Sequence, residues 1–215
     1  MDSRMQAVMN FVREGSRVVD VGADHGYLSI ELIRSGLASK VIATEKNIHP
    51  LEAAIKNISV AGLDGVIEAR LGDGLQVLTA GEVDTICIAG MGGALITKIL
   101  DDSPEVVQSA WSLILQPMNG IKKIRTWLAE NGWTIIDEDL AESAGIIYEI
   151  ICADKTFKPS KIFKRESSPL LAKFTAQRVE KLQRVLDEMS KSNVARSSDK
   201  FATLQAEIDA LNRLC

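Results

Sequence analysis

The stretch that decides the fold is residues 17–28, RVVDVGADHGYL. An apolar run ends in a glycine-spaced acidic turn, Asp20-x-Gly22-x-Asp24-x-Gly26. A helical pattern opens behind it, with Leu28, Leu32 and Ile33 recurring at helical spacing and Gly36 as the stop. This is the outline of a first strand that delivers a ligand-binding loop to a helix N-terminus. The dinucleotide form of that loop, G-x-G-x-x-G, keeps its backbone bare so that a pyrophosphate can approach. Here Asp24-His25 stands in the middle of the loop, and a carboxylate against a diphosphate is unfavourable. The loop therefore points to a ligand with positive charge and away from nicotinamide-dependent redox chemistry.

Outward from this loop the chain alternates strand and helix. Residues 40–45, 66–74, 83–93 and 112–118 read as further strands, and 47–62, a segment running to about Leu100, and 121–132 read as helices. Asn47 is a plausible N-cap and Gly62 a stop. Residues 133–143 and 145–154 then follow each other with no helix between them, which indicates a final antiparallel pair. The expectation is an α/β domain with a seven-stranded, mostly parallel sheet, built from five βα units and a closing hairpin over residues 1–154. Residues 155–215 change texture. KTFKPSKIFKRESSP reads as a basic linker, and two amphipathic segments follow. Phe174, Leu182, Val185 and Met189 mark the first, and Phe201, Leu204, Ile208, Leu211 and Leu214 the second, with SNVARSSD as the break. Together they suggest a coiled-coil-like helical hairpin.

Composition supports an ordinary globular chain of 215 residues, 46% hydrophobic and 25% charged. No apolar run is long enough for a membrane span, and residues 1–15 lack the features of a signal peptide, so a cytoplasmic protein is expected. Cys87, Cys152 and Cys215 form no C-x-x-C pair, and His25 and His49 are isolated; no metal site is expected. The net charge of −4 conceals a split. Residues 1–154 carry 12 Lys+Arg and 22 Asp+Glu, a balance of −10, whereas residues 155–215 carry 13 and 7, a balance of +6. A basic appendage on an acidic body suggests a polyanionic partner.

Candidate chemistry gathers at the strand ends, where sheets of this kind bind ligands. Glu45 ends the second strand about 20 residues after the glycine turn, where a carboxylate accepts from ribose hydroxyls. Asp73-Gly74 ends the third, where a carboxylate can accept from an adenine amino group. Ala89-Gly90-Met91-Gly92-Gly93 ends the fourth, where backbone must pass close to a ligand. With Asp24 in the first turn, the combination favours a net-cationic adenosine ligand, S-adenosylmethionine.

Those residues carry a resemblance. G-A-D-H-G-Y-L at 22–28, Glu45, G-D-G at 72–74, A-G-M-G-G at 89–93 and L-I-L-Q-P at 113–117 resemble the bacterial tRNA (adenine-22-N1)-methyltransferase family, TrmK, in order and spacing through residues 1–154. The resemblance implies a Rossmann-like class I methyltransferase domain, S-adenosylmethionine as donor, and N1 of adenine 22 in the tRNA D-arm as acceptor. It implies a donor site of Gly22, Asp24, His25, Tyr27, Leu28, Glu45, Lys46, Asp73, Gly74, Gly90, Met91 and Gly92. Asp24 and His25 are also the candidates for handling the proton or the cationic product. Gly93, Gln116 and Pro117 would line the acceptor side, with Arg4 in an N-terminal helix over the donor pocket. Lys161, Lys164 and Arg165 would meet the tRNA backbone, and the protein is expected to be a monomer. The competing readings are a methyltransferase for a small molecule or protein, and a non-catalytic binding module.

Overall fold

The structure is a computed structural model that describes residues 2–157, 159 and 163–213. It divides into two compact units, residues 1–165 and 166–215. The first unit is built on one sheet of seven strands: β1 (Ser16–Val21), β2 (Ala38–Glu45), β3 (Ile67–Leu71), β4 (Thr85–Gly92), β5 (Ser112–Asn119), β6 (Thr134–Ser143) and β7 (Ile146–Asp154). Their order across the sheet is β3-β2-β1-β4-β5-β7-β6. The first five pair in parallel, while β7 runs antiparallel to both β5 and β6.

The period-two alternation of strand side chains sorts the core into two layers. Val19, Val21, Ile86, Ile88, Leu113, Leu115 and Ile151 point to one face. There they meet α4 (Gly93–Asp101), α5 (Pro104–Ser109) and α6 (Ile121–Glu130). Val18, Val41, Ala43, Cys87, Ile114, Ile150 and Cys152 point to the other. There they meet α1 (Ser3–Met9), α2 (Tyr27–Arg34) and α3 (Ile48–Val60). Cys87 and Cys152 are thus buried free thiols that pack as small apolar groups.

Two sequence expectations change. The connection from β3 to β4 carries no helix, so there are not five βα units; Leu75 and Leu78 turn directly into the core there. Two helices, α4 and α5, instead follow β4. Asn47 is the N-cap residue of α3, but its side chain makes no cap bond. The Glu45 carboxylate accepts from the Asn47 backbone and side chain instead, at 3.1 and 3.5 Å.

The second unit contains α7 (Leu171–Met189), a short α8 (Asn193–Arg196) and α9 (Asp199–Asn212). Leu182, Leu186 and Ile208 are its buried centre, with Val179, Phe201, Leu204 and Leu211 packed around them. The face of α7 is therefore Val179-Leu182-Leu186, and Val185 is 39% exposed. Arg178 pairs with Glu207 at 2.9 Å, and Ser198 caps α9 through the Phe201 N–H. Leu214 lies outside the described residues.

The two turns that leave β4 and β5 touch backbone to backbone. A Cβ on Gly93 would lie 2.5 Å from the carbonyl oxygen of Gly120, closer than van der Waals contact allows. We expect Gly93→Ala to cost about 1–3 kcal/mol. Thermal unfolding should show a midpoint lowered by several degrees; an unchanged midpoint would mean that the turns separate freely.

Candidate active site

The carboxyl ends of β1, β2 and β4 meet at one rim, and the β1 turn shapes it. Asp24 adopts a left-handed backbone, φ +52°, a conformation that aspartate tolerates better than most residues. The residue that displaces the middle glycine thus keeps the glycine's conformation. Gly22 has φ +71°, a left-handed backbone that glycine adopts without strain, and the flexible Met91 methyl lies 2.3 Å from where a Cβ would stand. Gly26 opens α2 without a side-chain cap. The cap comes from the strand: the Asp20 carboxylate accepts from the Ser29 hydroxyl at 2.7 Å and from its backbone N–H.

Two hollows flank this turn. One, of about 400 Å³, takes in Arg4, Met5 and Val8 from α1, Asp20, Asp24, His25, Tyr27 and Leu28 from the loop and α2, and Ala89 and Gly90. The other, of about 320 Å³, is lined by Thr44, Glu45, Lys46, Asn47, Asp73, Gly74, Met91 and Ile99, among others. Gly22, Ala89 and Gly90 belong to both, so the two adjoin over the β1 and β4 turns.

Glu45 is nearly buried and braces the rim, with Oε2 accepting from the Asp24 backbone at 3.4 Å. Lys46 Nζ reaches Asp73 Oδ2 at 2.6 Å across the second hollow. Asp24 and His25 stand at the mouth of the first, 69% and 51% exposed and 3.8 Å apart. The His25 ring stacks on Tyr27 with centroids 5.6 Å apart. Asp20 is the buried acid of the site, and burial pushes its carboxyl up to about 6 against the hydrogen bonds from Ser29.

The predicted residues do not all converge. Gln116 is fully buried; its Oε1 accepts from the Gly90 N–H and its amide donates to the Pro117 carbonyl, each at 3.1 Å. Its side chain is spent on shaping the Gly90 turn. Pro117 is buried in β5, and neither Gly92 nor Gly93 lines either hollow. Arg165 binds Glu149 at 2.6 Å, and the Lys164 backbone donates to Asp137 at 2.8 Å while its ammonium lies over Phe11. Lys161 lies outside the described residues. Sequence reasoning did not assign roles to Asp20, Thr44 or Tyr148. Asp20 had a signal, the acidic start of the quoted turn; Tyr148 had none, because only the folded sheet brings it to the rim.

The residues fit an adenosine ligand with a cationic tail. Thr44 Oγ1 is buried without a hydrogen-bond partner among the described residues, and Thr44 lines the second hollow. Asp73 and Glu45 offer acceptors there, and Asp20 offers a poorly solvated carboxyl in the first hollow, which a cation would stabilise. Among the described residues no cluster suited to a metal ion and no helix able to cross a membrane is found.

This strand order, with paired hollows over the first and fourth strands, defines a Rossmann-like methyltransferase domain. Residues 1–151 match the methyltransferase domain family. The Bacillus subtilis tRNA (adenine(22)-N(1))-methyltransferase is 38% identical over 154 residues, covering 72% of this chain and 65% of that protein. The chain thus spans just under two thirds of that relative in sequence alignment. The crystal structure of the B. subtilis m1A22 tRNA methyltransferase TrmK superposes with a TM-score of 0.85 at 29% identity, covering 100% of this chain and 98% of that one. Streptococcus pneumoniae Sp1610 in complex with S-adenosyl-L-methionine superposes with a TM-score of 0.78 at 32% identity, covering 100% and 99%. The chain belongs to the tRNA (adenine-22-N1)-methyltransferase family.

Asp20 makes the site pH-dependent. Its folded value, about 6, lies above the ordinary 3.8, so the folded state holds the proton more tightly than the unfolded chain. Its contribution to stability is therefore full below about pH 4 and is lost as pH rises through 6. A cation bound beside it favours the carboxylate and reverses the trend for binding. Calorimetry with S-adenosylmethionine should show affinity rising between pH 5 and pH 7, with proton release at the lower end, and Asp20→Asn should flatten the profile. A pH-independent wild-type affinity would remove Asp20 from the binding site.

Proposed function

We propose that the chain methylates N1 of adenine 22 in the tRNA D-arm with S-adenosylmethionine as donor. The observation that carries this reading is the pair of adjoining hollows, one suited to adenosine and the other holding a buried carboxyl for a cationic tail. The family relationship supplies the acceptor. The donor, when bound, supplies a methyl group on a positively charged sulfur.

Adenine N1 has a free lone pair at neutral pH, so the protein needs no covalent nucleophile; its task is alignment and exclusion of water. Asp20 and Asp24 complement positive charge in the first hollow. Glu45 takes the ribose and Asp73 the adenine edge in the second. Gly90, held by Gln116, presents backbone without a side chain beside the acceptor. We assign Asp24 and His25 to the proton from the adenine amino group, because exposed side chains at the mouth can exchange it with solvent. A paired N1 is unreachable, so the D-arm base must leave its stack.

Residues 155–165 contribute five basic and no acidic residues, whereas 166–215 carry eight and seven. The basic surplus is therefore a property of the linker, and we assign Lys158 and Lys161 to phosphate contacts in the cytoplasmic tRNA complex. In the full chain, changing both to Glu should weaken tRNA binding and flatten the log-log salt dependence by roughly two contacts' worth. An unchanged slope would locate the phosphate contacts elsewhere.

Incubation with methyl-labelled S-adenosylmethionine and unmodified tRNA, followed by mapping of the modified base, tests the whole reading. Label at N1 of adenine 22 is the expected outcome. Label on another base would correct the acceptor, and label on protein or small metabolites but not on tRNA would overturn it.

A further inference from the structure

Arg4 occupies the seam between the donor hollow and the rim over β5 and β7. It lines the 400 Å³ hollow, and its Nη1 lies 3.8 Å from where a Cβ on Gly90 would stand. The same nitrogen is 3.8 Å from Met118 Sδ at the end of β5. Its guanidinium carbon lies 5.3 Å from the centre of the Tyr148 ring. Tyr148 is the third residue of β7, paired with Ala141. Because β7 is antiparallel to β5, its first residues lie at the same rim as the carboxyl ends of β1, β4 and β5.

Structural need does not account for this placement. The ion pair of Arg4 with Asp2, at 3.4 Å, joins two side chains about 30% exposed and contributes little. The position of α1 is fixed without it, since Ala7, Val8 and Met9 are buried in the core and Ser3 bonds to the Glu142 carbonyl. Tyr148 sets an aromatic ring beside the Arg4 guanidinium, and that planar cation lines the donor hollow. Unstacked nucleobases are bound on such surfaces, aromatic rings and arginine planes alike.

We propose that the Tyr148-backed guanidinium of Arg4 is the stacking platform for the extruded acceptor adenine. The inference rests on the acceptor assignment above and adds the residues that hold the base. Neutral adenine stacks on the guanidinium face; the product ring, cationic until its amino group loses a proton, is repelled by the same charge and released. Arg4 therefore contributes to base capture and product release, while Tyr148 is a positioning residue that acts through Arg4.

The test uses the full chain with Arg4→Lys, which keeps the charge and removes the plane, and with Tyr148→Phe and Tyr148→Ala. Donor affinity, KM and kcat for tRNA, and thermal midpoint are measured for each. The fluorescence of a tRNA carrying 2-aminopurine at position 22 reports stacking directly. Arg4→Lys should leave donor affinity within about twofold, lower kcat/KM for tRNA at least tenfold, and diminish the 2-aminopurine fluorescence change expected on binding to the wild type. Tyr148→Phe should behave as wild type, and Tyr148→Ala as Arg4→Lys. The proposal is overturned if Arg4→Lys turns over tRNA normally. It is equally overturned if that variant loses donor affinity tenfold with tRNA parameters unchanged, because Arg4 would then be a donor ligand. Wild-type protein that methylates a base other than adenine 22 would sink the acceptor assignment instead, which is a separate outcome.

Discussion

The donor side of the molecule depends on one carboxylate. Asp20, the buried penultimate residue of β1, caps α2 through Ser29, so strand, turn and helix are joined beside the first hollow. A capping residue within the turn would have had to project a side chain into the hollow. Capping from the strand leaves the turn free to present bare backbone at Gly22 and Gly26 and the Asp24 carboxylate to the hollow. The cost is a carboxyl removed from water, and its raised proton affinity measures that cost. A cationic ligand offsets it, so the feature that burdens the free protein also favours binding.

The sheet was legible in the sequence because its central strands, β1, β4 and β5, are largely buried apolar runs bounded by turn residues. Seven strands, the absent helix between β6 and β7, and the turns at the carboxyl ends of β1 to β4 all followed from local pattern. The β3–β4 connection departs from that pattern. Regular alternation implied a helix there, but Gly72-Asp73-Gly74 and Gly81 leave too few residues between turns for one, and the apolar Leu75 and Leu78 fold in directly. The failures at the site have a common cause. Gln116 holds Gly90, 26 positions away, and Arg4 meets Tyr148, 144 positions away. Such contacts are made by the sheet order, which sequence pattern alone does not encode.

Charge in the linker also acquired a different meaning. Lys155 donates to three carbonyls at the end of α5, at 3.0–3.4 Å, and lies over Trp133. Arg165 joins Arg125 in a cluster with Glu138 and Glu149, and Lys164 meets Asp137. A basic run that reads as an RNA-binding arm is in part a clasp that fastens the linker to the sheet edge and closes a helix end. A count of positive residues therefore overstates what is available to a polyanion.

The Lys46–Asp73 bridge spans the hollow in which an adenine edge would lie, with both side chains substantially exposed. An ion pair in that setting contributes at most about 1 kcal/mol and is screened by salt. It is therefore a light latch that entering donor can part at little cost, and it loosens as ionic strength rises. The proposed tRNA contacts of the linker would likewise weaken as salt screens them. Salt would thus act on donor loading in two directions, loosening this latch while screening the attraction of Asp20 and Asp24 for the donor's positive charge.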